Sequence, residues 1–140
     1  MRSRAGYRLG AAALAIACLG VLVFAATLRP DDSGMGTHQQ LGLPPCPWLV
    51  MYDVPCPTCG MTTSFARAAH GSILGAVRAQ PAGAAFAIGI AALFWLALHA
   101  AVTGSGVLRA VWRMSERWVG PVVGALLIAG WAYTLLRHHG

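Results

Sequence analysis

Three cysteines gather in one short part of the chain, in the dipeptide Cys46-Pro47 and in the stretch "CPTCG" at residues 56–60. Cysteine thiolates are nucleophiles and ligands for soft metal ions, and pairs of cysteines form disulfides. The cluster could therefore be a redox centre, a metal knuckle or a covalent tie. No pair of carboxylates and no nucleophile with an adjacent base accompanies it, so an enzymatic activity would rest on Cys56 and Cys59 alone.

The spacing of Cys56 and Cys59 is compatible with two local structures. If a helix began here, Cys56 would be its N-cap and Pro57 its first residue, and the free N–H groups of the first turn would lower the thiol pKa. In a metal knuckle, two thiolates one turn apart hold the ion, and Gly60 takes a left-handed conformation that turns backbone N–H groups toward sulfur. The first structure favours redox chemistry and the second favours metal binding.

A metal site of the second kind usually has four ligands. Cys46 is the obvious third ligand, and His70 or His38 is the candidate for the fourth, although neither histidine stands at a diagnostic spacing. Zinc is the candidate ion. The simplest alternative is a structural disulfide between two of the three cysteines, which an oxidising compartment would favour and which would hold the loop in shape.

The composition indicates a membrane environment for these cysteines. The chain has 140 residues, of which 57% are hydrophobic and only 10% charged, too few charges for a water-soluble domain of this size. Three apolar runs without Asp, Glu, Lys or Arg explain the excess, and each is close to the roughly 20 residues that a helix needs to cross a hydrocarbon core. They cover residues 9–28, 82–102 and 118–136. The sequence therefore predicts an all-α membrane protein with three transmembrane helices.

The positions of the arginines predict the orientation of these helices. Arginines cluster before the first run and between the second and third, and are sparse in the long connection. The clustered residues are Arg2, Arg4 and Arg8, and Arg109, Arg113 and Arg117. The positive-inside rule then places residues 1–8 and 103–117 in the cytoplasm, and residues 29–81 and 137–140 outside. The net charge of +6 reflects this topology, and we expect the lipid bilayer, not a nucleic acid, as the partner.

Two further features concern the origin of the protein and its N-terminal leader. The chain has ten arginines and no lysine, which is typical of a GC-rich bacterial genome. We therefore expect the protein in a bacterial cytoplasmic (inner) membrane. The basic leader before the first apolar run also suits a cleaved signal peptide, but this run is long for one.

The long connection has two parts of different character. Residues 29–45 are polar and rich in Gly and Pro, which predicts a loop. Residues 46–81 are more apolar, and residues 46–60 are too apolar for a solvated loop. Residues 61–81 predict two short helices that break at Gly71, the second with one apolar face. Pro81 then begins the second span, where its missing N–H does no harm. We therefore expect a re-entrant or interfacial helical element, which carries the cysteines, between the first and second spans.

Several residues of this region follow a pattern known from one family. They are Cys46, Cys56, Pro57, Cys59, Gly60, Met61, Thr62, Gly71, Gln80 and Pro81. In this pattern the chain resembles, over roughly residues 46–100, the bacterial membrane-protein family called domain of unknown function 2752. One departure is Thr63, where the family usually has Arg. If that Arg binds an anionic partner elsewhere in the family, this role is missing here or falls to Arg67, one turn later. The resemblance implies a small integral membrane protein whose activity is not established.

The function that these features favour is that of a non-enzymatic accessory or assembly protein, with the cysteine cluster as a structural disulfide or metal site. One alternative is a membrane thiol-disulfide oxidoreductase in which Cys56 attacks and Cys59 resolves the mixed disulfide, although a complete second cysteine pair is missing. Another is a subunit of a transporter or channel, although three spans without charged residues offer no ion path unless they oligomerise. Gly120 and Gly124 predict a close helix contact, within the chain or with another membrane protein.

Overall fold

The structure is a computed structural model that describes residues 4–139. Of His139 it describes the backbone alone. Its elements in chain order are α1 (Arg4–Thr27), a 3-10 helix (Thr37–Leu41), α2 (Pro47–Tyr52), α3 (Met61–Ala69), α4 (Ile73–Ala79), α5 (Pro81–Thr103) and α6 (Val107–His139). No strand occurs among the described residues. Arg2 of the basic leader and Gly140 of the predicted tail lie outside them.

Three helices, α1, α5 and α6, are long and apolar enough to cross a membrane. The protein is therefore an all-α, multi-pass membrane protein, as the composition predicts. The remaining short helices all belong to the segment between α1 and α5, residues 28–80, which we call the connecting segment. It carries the three clustered cysteines, so the predicted cysteine-bearing helical element lies between the first and second spans.

Helix α6 is longer than the third apolar run. The sequence predicts a loop over residues 103–117, but α6 begins at Val107 and continues for 33 residues, which corresponds to about 50 Å. A hydrocarbon core needs only about 20 residues of helix. The arginine-rich part of the chain is therefore helical, and the turn between α5 and α6 consists only of residues 104–106.

Small side chains bring α1 and α5 together. The buried residues of α1 are Ala11, Ala15, Cys18 and Ala25, which recur at helical spacing on one face. They pack along α5, whose buried residues are also mostly alanine. Small residues allow two backbones to approach, which is the usual way for helices to associate within lipid. Cys18 is thus a small apolar residue inside a helix and is separate from the other three cysteines.

The close contact between α5 and α6 is made by Gly130. A Cβ atom on Gly130 would lie 2.8 Å from the Cβ of Ala82. The prediction of close approach within the chain at Gly120 and Gly124 is wrong, because a Cβ on either would meet no atom within 4 Å. The close approach of the helices does occur at a glycine, but at one nearer the C-terminal end of α6.

Helices α3 and α4 pack on each other and on α5. They are separated at Gly71, whose φ of 78° is left-handed, which confirms the predicted break. Helix α5 begins at Pro81 with Gln80 as its N-cap, as the Gln-Pro dipeptide predicts. The residues between α2 and α3, 53–60, form a loop that we call the cysteine loop, and it lies against the N-terminal end of α5 through a hydrogen bond from Gln80 to Pro57.

Candidate functional site

The structure brings Cys46, Cys56 and Cys59 together. Their sulfur atoms all lie within 4.8 Å of one another. Cys46 is the residue before α2, and the other two belong to the cysteine loop, so the cluster joins two separate turns of the chain. Cys59 is buried and the other two are half-buried. Among the side chains that the structure describes, residues 4–138, no other Cys, His, Asp or Glu belongs to the group.

The backbone around Cys56 and Cys59 forms a tight turn that shares the left-handed glycine of a metal knuckle. The N–H of Cys59 donates to the carbonyl of Cys56 at 3.0 Å, which closes a turn, and the N–H of Cys56 donates to the sulfur of Cys59 at 3.2 Å. Gly60 is left-handed with φ of 85°, as the knuckle requires. Helix α3 begins only at Met61, so the helix start at Cys56, on which the redox interpretation depends, does not occur.

A cysteine that precedes a helix-starting proline does occur, but at Cys46. Pro47 is the first residue of α2. Burial raises the pKa of the Cys46 thiol, but the nearby backbone of Leu49, the other two thiols and the nearby backbone of Trp48 together lower it to about 7. The surroundings of this thiol therefore favour its thiolate form.

The thiol of Cys59 has the opposite tendency. Burial, followed by its hydrogen bond with the thiol of Cys56 and the proximity of the thiol of Cys46, raises its pKa to about 12. A buried thiol next to other sulfur atoms keeps its proton unless a cation offsets the charge of the thiolate. The cluster thus consists of unequal thiols in one small volume.

The three cysteines line an open cavity of about 790 Å³. Thr62 of the motif also lines this cavity, as do Met35 and Met61. His38 is on the same wall, but its ring nitrogens do not belong to the sulfur group. The cluster is accordingly open on one side.

His70, the other candidate for a fourth ligand, lies at the C-terminal end of α3. Its Nδ1 atom is 2.7 Å from the carbonyl oxygen of Ala66, and it neither lines the cavity nor belongs to the sulfur group. The structure therefore assembles the three predicted cysteines and places neither histidine among them.

Gln80 connects the cysteine loop to α5. Its side chain is completely buried. The amide nitrogen donates to the carbonyl of Pro57 at 2.9 Å, and the amide oxygen accepts from the N–H of Gly83 at 2.7 Å. The second bond satisfies one of the free donors at the helix start. With Pro81 as the first helical residue, the Gln-Pro dipeptide of the motif therefore begins α5 and holds the cysteine loop against it.

Gly60 is required by space as well as by conformation. A Cβ atom at this position would lie 3.0 Å from the carbonyl oxygens of Ala79 and Gly34. The cysteine loop therefore packs closely against the end of α4 on one side and against the start of the connecting segment on the other.

Thr63, at the position where the family usually has Arg, is completely buried. Its hydroxyl lies 2.7 Å from the hydroxyl of Thr37, which is also completely buried. The Arg67 side chain donates to the backbone carbonyls of Asp31 at 2.9 Å and of Asp32 at 3.4 Å. Arg67 thus ties the start of the connecting segment to α3, within the same segment. No sequence signal pointed to Thr37, because it lies in a polar stretch among similar residues.

Trp131 holds the cysteine loop from α6. Its indole N–H donates to the carbonyl of Pro55 at 2.9 Å, and its ring packs edge-on against Trp48 with centroids 6.4 Å apart. The sequence predicts only an interface anchor or bundle residue here. A tryptophan in an apolar run has many explanations, so the pattern alone could not identify this bond.

A membrane protein of three long helices, with clustered cysteines in the segment between the first two, is the class that the fold and site define. Residues 46–95 match the family model described as "Protein of unknown function (DUF2752)". The family assignment made from the cysteine motif is thereby confirmed over these residues, which are 50 of the chain's 140. No curated protein and no solved structure matches the chain.

Proposed function

We propose that the protein is a non-enzymatic accessory membrane protein in which Cys46, Cys56 and Cys59 bind one metal ion, zinc in the first instance. The ion holds the connecting segment in shape. The observation that carries this proposal is that three sulfur atoms from two separate turns lie within 4.8 Å of one another. A disulfide joins two sulfur atoms and leaves the third unused, whereas a metal ion uses all three.

Zinc binds sulfur at about 2.3 Å in tetrahedral geometry, which puts two sulfur ligands about 3.8 Å apart. The three sulfur atoms lie within 4.8 Å of one another, and those of Cys56 and Cys59 are 3.2 Å apart, so a bound ion would move this pair slightly apart. The left-handed Gly60 also belongs to this kind of site. The fourth position would face the cavity and be filled by water or by a ligand from outside the described residues.

A structural role follows from the place of Cys46. Helix α2 has only six residues and none of them is buried, so its own packing contributes little. An ion shared between Cys46 and the cysteine loop would fix α2 to the rest of the fold. Structural zinc contributes its binding free energy to folding. The positive-inside rule supports a location of this centre on the outer face of a bacterial cytoplasmic membrane.

The experiment is elemental analysis of the detergent-purified protein for zinc, iron and copper, together with intact mass after alkylation. We expect about one metal ion per chain, and three cysteines that are alkylated only after chelation. A metal-free protein with one disulfide in the mass spectrum would contradict the proposal and favour the covalent tie.

Cys46→Ser separates the two possibilities further. A disulfide between Cys56 and Cys59 would survive this change, whereas a three-thiolate centre would lose most of its metal affinity. Cys18→Ala is the matched control, because Cys18 is buried in α1 away from the cluster and its loss should leave the metal content unchanged.

A further inference from the structure

A second cavity lies between the start of α1, the middle of α5 and the first turns of α6. Its volume is about 590 Å³. Leu14 and Leu93 form part of its apolar wall, and Arg109 and Arg113 give it a basic side. The proposed metal centre lies at the opposite ends of these helices, so the two features are independent.

The basic side of the cavity is built by contacts between distant parts of the chain. The Tyr7 hydroxyl donates to the carbonyl of Ser105 at 2.9 Å, and the Arg109 guanidinium lies 4.6 Å from the centre of the Tyr7 ring. A guanidinium stacked on a ring keeps its in-plane N–H groups available for an anion. Arg113 follows one turn later and therefore points to the same side of α6.

The charges of this cavity are not balanced. Its lining contains Arg109, Arg113 and a single carboxylate, Glu116. Within residues 4–139, neither arginine takes part in an ion pair shorter than 4.0 Å. A ligand with one negative charge would balance the excess positive charge, and arginine matches the two oxygens of a phosphate better than any other side chain.

The cavity also continues from the charged end into the apolar part of the helices. Leu93 lies ten residues before the end of α5 at Thr103, which is about 15 Å along the helix axis, or about half of a hydrocarbon core. Arg109 and Arg113 precede the third apolar run, which begins at residue 118. A ligand that fills the cavity would thus have a charged end and a long apolar end.

We propose that this cavity binds a phospholipid with an anionic headgroup, of the phosphatidylglycerol class. Arg109 and Arg113 bind the phosphate, an acyl chain lies against Leu14 and Leu93, and a headgroup hydroxyl donates to Glu116. Basic pockets between membrane helices are known to bind anionic lipid headgroups. The ammonium of a zwitterionic lipid would cancel the charge that the two arginines recognise.

The experiment is native mass spectrometry of the whole detergent-purified protein, titrated with dioleoyl-phosphatidylglycerol, with dioleoyl-phosphatidylethanolamine and with inorganic phosphate. We expect a one-lipid complex with phosphatidylglycerol, weaker binding of phosphatidylethanolamine and no competition from inorganic phosphate, which lacks the acyl chains. Arg113→Gln should weaken phosphatidylglycerol binding at least about tenfold, because a hydrogen bond to a charged group contributes about this factor or more.

Arg117→Gln is the matched control, because Arg117 is exposed on the same helix and does not line the cavity. It should bind phosphatidylglycerol like the unchanged protein. Arg109→Gln tests the stacked arginine, and the unfolding temperature of each lipid-free variant shows whether the fold is intact. Equal binding of the two lipids, or equal affinity of Arg113→Gln and Arg117→Gln, would overturn the proposal. Displacement of the lipid by inorganic phosphate would mean a phosphate site instead.

Discussion

Replacement of Gln80 tests whether the buried amide ties the cysteine loop to α5. Gln80→Leu has a similar volume but makes neither hydrogen bond. The N–H of Gly83 would be buried without a partner, which costs about 1–3 kcal/mol, and the half-buried carbonyl of Pro57 would lose a bond that contributes about 0.5–1.5 kcal/mol. We therefore expect the free energy of unfolding to fall by about 1.5–4.5 kcal/mol.

Gln80→Asn divides this effect between the two bonds. Asparagine is a favourable N-cap, so α5 should keep its cap, but the side chain is one methylene too short to reach Pro57. The expected loss is about 0.5–1.5 kcal/mol for the hydrogen bond and about 0.8 kcal/mol for the missing methylene. In the metal-free protein, the three clustered cysteines should also be alkylated faster, because the cysteine loop is released from α5.

The assay is denaturant unfolding in detergent, followed by tryptophan fluorescence. Of the five tryptophans, Trp131 contributes the signal from the cysteine loop, because its indole N–H bonds to Pro55 there, and the others report on the rest of the fold. Gln39→Asn is the matched control, since Gln39 is exposed and this change should alter the free energy of unfolding by less than about 0.5 kcal/mol. The reasoning is refuted if Gln80→Leu is as stable as Gln39→Asn.

Three further substitutions test the packing around the site. Gly60→Ala should lower the free energy of unfolding by about 1–2 kcal/mol for the left-handed conformation and by about 1–3 kcal/mol more for its contacts with two carbonyl oxygens, and should reduce the metal content. Gly71→Ala, which has only the first cost, should retain the metal. Equal stability of the two variants would contradict the packing argument. Gly130→Ala should lower the unfolding temperature in detergent, because it forces α5 and α6 apart at a cost of about 1–3 kcal/mol. Gly124→Ala should be neutral or slightly stabilising. A lower unfolding temperature for Gly124→Ala than for Gly130→Ala would contradict the helix contact described above. Trp131→Phe keeps an aromatic ring but loses its N–H, so chemical denaturation followed by circular dichroism should show a loss of about 0.5–1.5 kcal/mol, and no loss would mean that this bond contributes nothing.

The features that the sequence predicts correctly are local ones. Hydropathy over about 20 residues depends only on the run itself, so the three membrane-capable helices could be predicted. A left-handed glycine after "CPTC" and a proline after Gln80 limit the backbone at their own positions, so Gly60, the break at Gly71 and the start of α5 at Pro81 could be predicted too. The loop over residues 103–117 was mispredicted because helix propensity beyond the apolar run leaves no hydropathy signal.

The sequence by itself determined the class of protein, its membrane-capable helices and the set of cysteines worth considering. Only the tertiary structure decided which contacts these residues make: that Gly130, not Gly124, meets α5, that neither His38 nor His70 joins the sulfur atoms, and that Arg109 stacks on Tyr7. Such contacts join residues far apart in the chain, as do the hydrogen bonds from Trp131 to Pro55, 76 positions away, and from Tyr7 to Ser105, 98 positions away. Their formation depends on how whole helices pack, and no short stretch of residues carries that information.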